Sequence, residues 1–223
     1  MPQPIPTWKL TVKSNIIGAD EVGYGSLAGP LVVAGVKAPK NWSLEGLNDS
    51  KKLSAKKRET MRTKLNELIE KKEISWHLAE RSNVQIDKVG VAVALKDAYV
   101  EIFLKLYDPN CLIITDGILK FDNLGVDDYD KVSLIKADTT VPAVMAASIL
   151  AKTYRDEKMK LLHPLHPMYC WDHNVGYAAK DHLEAIEKHG PCPLHRFSYA
   201  PMRHMKVDDP RQLQLFNDQL KED

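Results

Sequence analysis

An α/β domain built on a mixed sheet is what the sequence predicts, and three observations predict it. Short apolar runs rich in β-branched residues alternate with stretches whose apolar residues recur at helical spacing. Glycine, proline and aspartate separate these runs at short intervals. The 223 residues suffice for one sizeable core, and no internal repeat, low-complexity stretch or second domain is visible.

In chain order, "SNIIGAD" reads as a buried strand and "GPLVVAGVKA" as another, with Gly23, Gly25 and Gly29 favouring a tight connection between them. From Ser54, a natural N-cap, Met61, Leu65 and Leu68 follow at helical spacing. "EISWHLAE" suits a strand. "NVQIDKVGVAVALKDAYVEIFLKLY" predicts one long, largely buried helix that ends before Asp108 and Pro109. "CLIITDG" is an apolar run stopped by Asp116, the pattern of a central strand, and "KVSLIKAD" repeats it up to Asp138. Pro142 opens an Ala-rich helix, and a later helix closes on Gly190, so the C-terminal part is helical.

Composition narrows the classes of function. A formal net charge of +1 gives no global attraction to nucleic acid, so any binding to a polyanion rests on a local patch. "SKKLSAKKR" supplies one candidate patch, with Lys51, Lys52, Lys56, Lys57 and Arg58, although a solvated helix start accounts for the same residues. Three cysteines without CxxC spacing argue against a disulfide framework and leave Cys111, Cys170 and Cys192 as reduced thiols. No apolar run is long enough to span a bilayer, and the N-terminus lacks a secretory pattern, so the chain is expected in the cytoplasm, away from membranes.

The predicted chemistry lies in the acids. Three apolar runs end in Asp20 with Glu21, in Asp116, and in Asp138. Strand ends that meet in one sheet gather such carboxylates, and their repulsion needs a cation or a proton to offset it. Four carboxylates with no basic partner in the motifs suit hard divalent ions such as Mg²⁺ or Mn²⁺, which in pairs support phosphodiester hydrolysis. Any one aspartate after a strand is as readily a turn cap; the three strand ends together point to a metal-dependent enzyme acting on phosphates.

"GADEVGYGSLAGP", "LNDSKKLSAKKRE", "ITDG", "KADTTVPAVMAASILAKTYRD" and "GYAAKDHLEAIEKHGPCPLHRFSYAP" stand in the order and approximate spacing of ribonuclease HII, which the chain resembles from about Ile16 to Pro201. The resemblance implies a ribonuclease H-like fold over residues 15–206, after an extension at 1–14 and before a polar tail at 207–223. It implies an endonuclease that cuts RNA in RNA/DNA hybrids or at ribonucleotides embedded in duplex DNA, leaving a 3′-hydroxyl and a 5′-phosphate, and a monomer. Carried over position by position, the metal-binding acids fall on Asp20, Glu21, Asp116 and Asp138. Asp156 also matches a family position, and its place inside a helix suits a supporting role. Tyr177, in "GY", falls on the residue that senses the ribonucleotide 2′-hydroxyl, the group by which a protein tells RNA from DNA. The resemblance places phosphate contacts at Ser50 and Lys51. Ser148 and Lys152, one turn apart on a predicted helix, face the same side, toward either the site or a packing neighbour.

Two departures from the family pattern stand out. The family has Gly-Arg-Gly after its acid pair, whereas this chain has Gly23, Tyr24 and Gly25; recognition by main-chain groups survives that change, and any contact of the arginine side chain does not. Val175 stands where a lysine is common. Near the C-terminus, Gln212, Leu213, Leu215 and Phe216 resemble the short motif by which bacterial partners bind the replication sliding clamp; a terminal helix packing on the domain is the alternative. His163, His166, Cys170 and His173 form a loop set with zinc-ligating side chains but no standard finger spacing. Another nuclease on the same fold, or a non-catalytic clamp-associated nucleic-acid-binding protein, are the competing functions; keeping all four acids disfavours the second.

Overall fold

The computed structural model describes residues 13–48, 50–117, 125–126 and 129–205. Gln212, Leu213, Leu215, Phe216 and the rest of the 207–223 tail lie outside the described residues, as does nearly all of the 1–14 extension. The described chain forms two compact units. One comprises the described residues of Met1–Val22, Val32–Glu80 and Lys96–Tyr154; the other comprises those of Gly23–Leu31, Arg81–Leu95 and Arg155–Asp223.

Strands β1 (Asn15–Val22), β2 (Leu31–Pro39), β3 (Ser75–Arg81), β4 (Cys111–Asp116) and β5 (Lys131–Leu134) make a five-stranded sheet in the order β3-β2-β1-β4-β5. β1 runs antiparallel to β2, from Asn15 opposite Pro39 to Val22 opposite Val32, and parallel to β4; β4 and β5 are parallel. The sheet is therefore mixed, as the sequence predicts. Helices α1 (Ala55–Glu70), α2 (Asn83–Val89), α3 (Val91–Leu106), α4 (Pro142–Leu162), α5 (Trp171–Asn174) and α6 (Lys180–His189) complete the fold. None of the described helices is long and apolar enough to cross a membrane.

Local signals set the helix ends. The Ser54 side chain accepts a hydrogen bond from the Lys57 amide, the N-cap geometry that offsets one orphan donor. Pro142 is the first residue of α4, where its missing N–H costs nothing, and Gly190, at φ 73°, terminates α6. The region predicted as one long helix is two. Gly90, at φ 82°, caps α2 by donating its N–H to Ile86, and α3 starts immediately after it. Apolar spacing runs through the break, so periodicity alone does not see it.

In the first unit, Val32, Ala34 and Val36 of β2 pack with Met61 and Leu65 of α1 and with Ala146, Ala147 and Ile149 of α4. Ile16 and Leu112 pack with Leu134, Val141 and Val144 in a neighbouring cluster. Small residues allow this closeness. A Cβ at Gly18 would collide with the backbone of Ala143 and Val144, and one at Gly35 with the Ile102 side chain of α3. Backbone cannot yield as a side-chain tip does, so Gly18→Ala is expected to cost about 3 kcal/mol of stability, read as a lower urea midpoint with unchanged m-value. An unchanged midpoint would mean that α4 does not press on β1 there. The second unit has its own core of Leu27, Met159, Tyr169, Trp171 and Ile186.

Candidate active site

β1 does not stop at its acids. It continues to Val22, so Asp20 and Glu21 are strand residues paired opposite Ala34 and Val33. Successive side chains of a strand point to opposite faces, and the two acids accordingly meet different helices. Asp20, 6% exposed, is hydrogen-bonded by Ser148 of α4, whereas Glu21 Oε2 accepts from the Tyr99 hydroxyl of α3 at 2.5 Å. Asp116 ends β4 as predicted, half-buried, and its Oδ1 accepts from the Ala137 amide at 2.7 Å. Asp138 departs from prediction. β5 ends at Leu134, and the acid lies beyond it in a buried 3-10 turn, Ala137–Thr139, entered through Lys136 in a left-handed conformation. The Ala137 to Asp116 bond ties that turn to the end of β4.

The electrostatics show which acids act on one another. Burial and the Glu21 charge push Asp20 up to about 7, with Asp116 adding to the shift. Burial, and then the Asp116 charge, also raise Glu21, against the lowering effect of the Tyr99 hydrogen bond. Asp20, Glu21 and Asp116 thus form one repelling group. Asp138 Oδ2 instead lies 3.5 Å from Lys51 Nζ, a pair in which the lysine is 76% exposed and the acid 8%. The four acids, expected to lack a basic partner, therefore have one in Lys51. An all-oxygen donor set in which Asp20 and Glu21 have raised proton affinity, with a lysine at its margin, fits a hard divalent cation, which would relieve the repulsion among the carboxylates.

Of the residues expected at phosphates, Lys51 is exposed and Ser50 is not. Ser50 is buried, its hydroxyl 2.9 Å from that of Ser148, while Arg58 Nη1 donates to its carbonyl at 2.9 Å. Ser148 therefore joins Ser50 to Asp20 instead of facing solvent. Lys152 follows it one turn later on α4, half-buried.

In the second unit, Gly23 donates its N–H to the Tyr177 hydroxyl at 3.1 Å, which joins two predicted site elements more than 150 positions apart in the chain. Tyr24 has an exposed ring and a firmly held backbone: its carbonyl accepts from Arg196 Nη1 at 2.9 Å and from the Tyr199 hydroxyl at 2.7 Å. Tyr24, Gly25, Gly90, Val91, Tyr199 and Arg203 line a surface cavity beside this loop. Val175 is buried at φ 45°, a conformation that a β-branched residue adopts rarely.

Sequence reasoning missed three residues. Tyr99 and Arg196 read as ordinary core and loop residues. Arg155 sits in the quoted "TYRD", beside the Asp156 that drew attention, and it is wholly buried. Its guanidinium lies over the Tyr177 ring at 5.2 Å and donates to Pro30, Val175, Ala28 and Ser26. Asp156 acts by charge on Arg155, raising its proton affinity against the effect of burial.

A family model described as ribonuclease HII matches residues 17–202. The curated ribonuclease HII of Cytophaga hutchinsonii is 40% identical over 201 residues, which cover 89% of this chain and 92% of that protein. The ribonuclease HII of Oceanobacillus iheyensis is 40% identical over 189 residues, 84% of this chain and 69% of that one. The ribonuclease HII of Archaeoglobus fulgidus, solved in a complex with PCNA, superposes with a TM-score of 0.67 at 26% identity, covering 88% of this chain and 98% of its own. With the match spanning both the acids and the Tyr177 loop, this chain belongs to the ribonuclease HII family and is an endonucleolytic hydrolase.

Proposed function

We propose that the protein hydrolyses the RNA strand of RNA/DNA hybrids and cuts at ribonucleotides embedded in duplex DNA, leaving a 3′-hydroxyl and a 5′-phosphate. The observation that carries this reading is the group of Asp20, Glu21 and Asp116, in which burial and the neighbouring carboxylate charges raise the proton affinity of Asp20 and Glu21, in a chain of this family. With Asp138 they would hold Mg²⁺ or Mn²⁺, which when bound supplies an activated water and charge for the leaving oxygen. The chain's own groups do the rest. Ser148 orients Asp20, and Tyr99 holds Glu21 by a hydrogen bond that opposes the effect of burial on its proton affinity. Lys51, paired with Asp138, and the neighbouring basic residues of α1 offer contacts to backbone phosphates.

Tyr177 reads the 2′-hydroxyl in this proposal, and its hydrogen bond from the Gly23 amide fixes the position of the phenol oxygen. Tyr24 supplies a ring where the family has an arginine. An aromatic face stacks on a base or sugar without drawing in a phosphate, so selectivity for a single embedded ribonucleotide should be weaker than with arginine, while hybrid cleavage persists.

The test compares three labelled duplexes, one all DNA, one with a single ribonucleotide and one a long hybrid, with Mg²⁺ or Mn²⁺ added. Cutting of the last two and not the first is expected, and equal cutting of all three would favour a different nuclease on this fold. Tyr24→Arg should raise cleavage of the single-ribonucleotide duplex several-fold and steepen its salt dependence. Unchanged rates and salt slope would remove the role given to Tyr24.

We further propose that the protein acts as a monomer and that the tail through Gln212, Leu213, Leu215 and Phe216 docks on a sliding clamp. The Archaeoglobus fulgidus relative bound to PCNA supports this. Deleting residues 207–223 should abolish retention on immobilised clamp and leave cleavage of short duplexes intact. Retention that survives the deletion would refute the docking role.

A further inference from the structure

The loop set of His163, His166, Cys170 and His173 resolves into something different from the four-residue zinc group its side chains suggest. His166 lies edge-on to Trp171, with ring centroids 5.6 Å apart, and is used in packing. His163 Nδ1 lies 3.6 Å from Asp172. Cys170 and His173 instead converge with Asp181, a residue of the first turn of α6, and the Sγ, imidazole nitrogen and carboxylate oxygen of the three all lie within 4.8 Å of one another. None of these residues belongs to the acid group, and all three are in the second unit.

We propose that Cys170, His173 and Asp181 form a transition-metal site, best suited to Zn²⁺, that is separate from the carboxylate group and closes the loop carrying Tyr177.

Three features of the geometry support the site. The first is the donor set, because one thiolate, one imidazole and one carboxylate match a borderline ion such as Zn²⁺ and are poorly matched to Mg²⁺. Three protein ligands leave a fourth tetrahedral position to water, and His173, 63% exposed, gives that position access to solvent. The second is the support behind the ligands. His173 Nδ1 is 3.0 Å from Asp172 Oδ1, while its Nε2 is 2.6 Å from Asp181 Oδ2. A carboxylate behind the imidazole, with the other ring nitrogen aimed at the cluster, is the arrangement that orients metal-bound histidines. Asp181 is held from behind as well, its Oδ1 accepting from the His182 amide at 2.9 Å.

The third is backbone placement. Cys170 sits at φ 57° between a 3-10 turn and α5, in a conformation that non-glycine residues adopt rarely, and this turns its side chain beside that of His173. In the absence of an ion, an imidazolium bridging Asp172 and Asp181 would satisfy the same hydrogen bonds. In that state the Cys170 thiol donates to the Met168 carbonyl at 3.8 Å and to Asp181, and only with an ion does its sulfur become a ligand, a change that a thiolate-specific signal reads.

The consequence is local. Cys170 and His173 precede Tyr177 and Asp181 follows it, so one ion would pin both ends of residues 174–180. Asn174 already begins this tie, donating to the Tyr169 carbonyl at 2.8 Å and accepting from the Gly176 amide at 2.9 Å. That the pinned loop reads a 2′-hydroxyl rests on the function proposed above; the metal site itself does not.

Co²⁺ added to the full-length protein is the direct probe, because a thiolate ligand produces a near-ultraviolet charge-transfer band and tetrahedral geometry produces visible d–d absorption. With excess Mg²⁺ present to occupy the carboxylate group, the expected result is saturation at a single Co²⁺ per chain with both signals, and their loss on adding Zn²⁺. Cys170→Ser should remove the charge-transfer band. His173→Gln and Asp172→Asn should each weaken binding by about tenfold to a hundredfold. Asp20→Asn should leave the spectrum unchanged, which separates this site from the acid group whatever the protein cuts. Absence of the charge-transfer band, its survival in Cys170→Ser, affinity indifferent to His173→Gln, or loss of the spectrum in Asp20→Asn would each overturn the proposal.

Discussion

Asp20→Asn is expected to abolish cleavage and, at the same time, to make the metal-free protein more stable above pH 7. The two effects share one cause. Asp20 is 6% exposed, and burial and the neighbouring Glu21 push its carboxyl from 3.8 up to about 7 in the folded chain. A carboxyl whose folded value lies above its unfolded value binds a proton in the native state that the unfolded chain has released. Its contribution to stability is therefore complete below pH 4 and is lost as the pH rises toward and through 7. Asparagine keeps the shape and the bond to Ser148 and carries no charge, so it escapes the penalty. At one pKa unit per 1.36 kcal/mol, the gain at pH 8 is about 2 to 4 kcal/mol, or roughly 5 to 15 °C in Tm for a chain of this size.

The wild type offers a second route to the same relief. A divalent cation should raise its Tm at pH 8, raise it much less at pH 6, where a proton competes for the same oxygens, and do little for Asp20→Asn at either pH. Cleavage by the variant should fall by a factor on the order of 10³, the scale of losing one preorganised charge-stabilising group. Thermal melts at the two pH values with and without Mg²⁺, beside the cleavage assay, separate the two claims. A variant no more stable than wild type at pH 8 would refute the repulsion argument. A variant that cuts at the wild-type rate would refute the assignment of Asp20.

Much of this arrangement is legible in the sequence because it depends on local rules. The Ser54 cap, the Pro142 start of α4 and the Gly190 stop of α6 each follow from which backbone groups a residue can satisfy or which φ it tolerates. Asp20, Glu21 and Asp116 are legible as a group because their apolar runs form β1 and β4, which pair in the sheet. Three other features depend on information that a linear pattern does not carry. Gly90 breaks a helix whose apolar spacing continues across it, and only its φ of 82° marks the break. Asp138 reaches the site from a 3-10 turn, because β5 stops four residues earlier than its apolar run suggests. Glu21 faces α3 and not the helix that Asp20 meets, so the adjacency of the two acids gives each its own support, Tyr99 for one and Ser148 for the other. Tyr99 lies inside a helix where an aromatic residue is ordinary core filling, and nothing in its sequence neighbours announces a hydroxyl used 78 positions away.

Arg155 is the extreme case of a residue whose importance is spatial, and its removal should carry the largest cost in stability. The side chain is fully buried, and among the described residues no carboxylate is hydrogen-bonded to it. Nε donates to Pro30 O at 2.8 Å, Nη1 to Val175 O at 2.9 Å, and Nη2 to Ser26 Oγ at 2.8 Å and Ala28 O at 3.0 Å. Burial pushes the guanidinium down to about 10, which still leaves it charged at neutral pH. A charge held this way is stabilised by backbone dipoles, and those carbonyls in turn lose a buried donor if it goes, with Ala28 O keeping a second one from the Ser26 hydroxyl. Arg155→Met fills a similar volume but takes the guanidinium donor from four buried acceptors, so a loss of about 3 to 5 kcal/mol is expected. Arg155→Lys keeps the charge without the planar fork and cannot serve acceptors spread over Ser26, Ala28, Pro30 and Val175, so it should recover less than half of that loss.

The same contacts predict more than instability. A Cβ at Gly23 would collide with the Arg155 side chain and with Pro30 O, so the glycine that donates to Tyr177 is pressed against the arginine that stacks on the Tyr177 ring. Arg155 is on this geometry a positioning residue for the loop of Gly23 to Gly25 and for Tyr177. At a temperature where Arg155→Lys remains folded, cleavage at a single ribonucleotide should fall more than Mg²⁺ affinity does, because the acids lie in the other compact unit and keep their own supports. A variant that loses stability but keeps wild-type discrimination between ribonucleotide and deoxynucleotide would confine Arg155 to packing. Equal loss of metal affinity and discrimination would place its influence on the acids instead, against the division of labour drawn from these contacts.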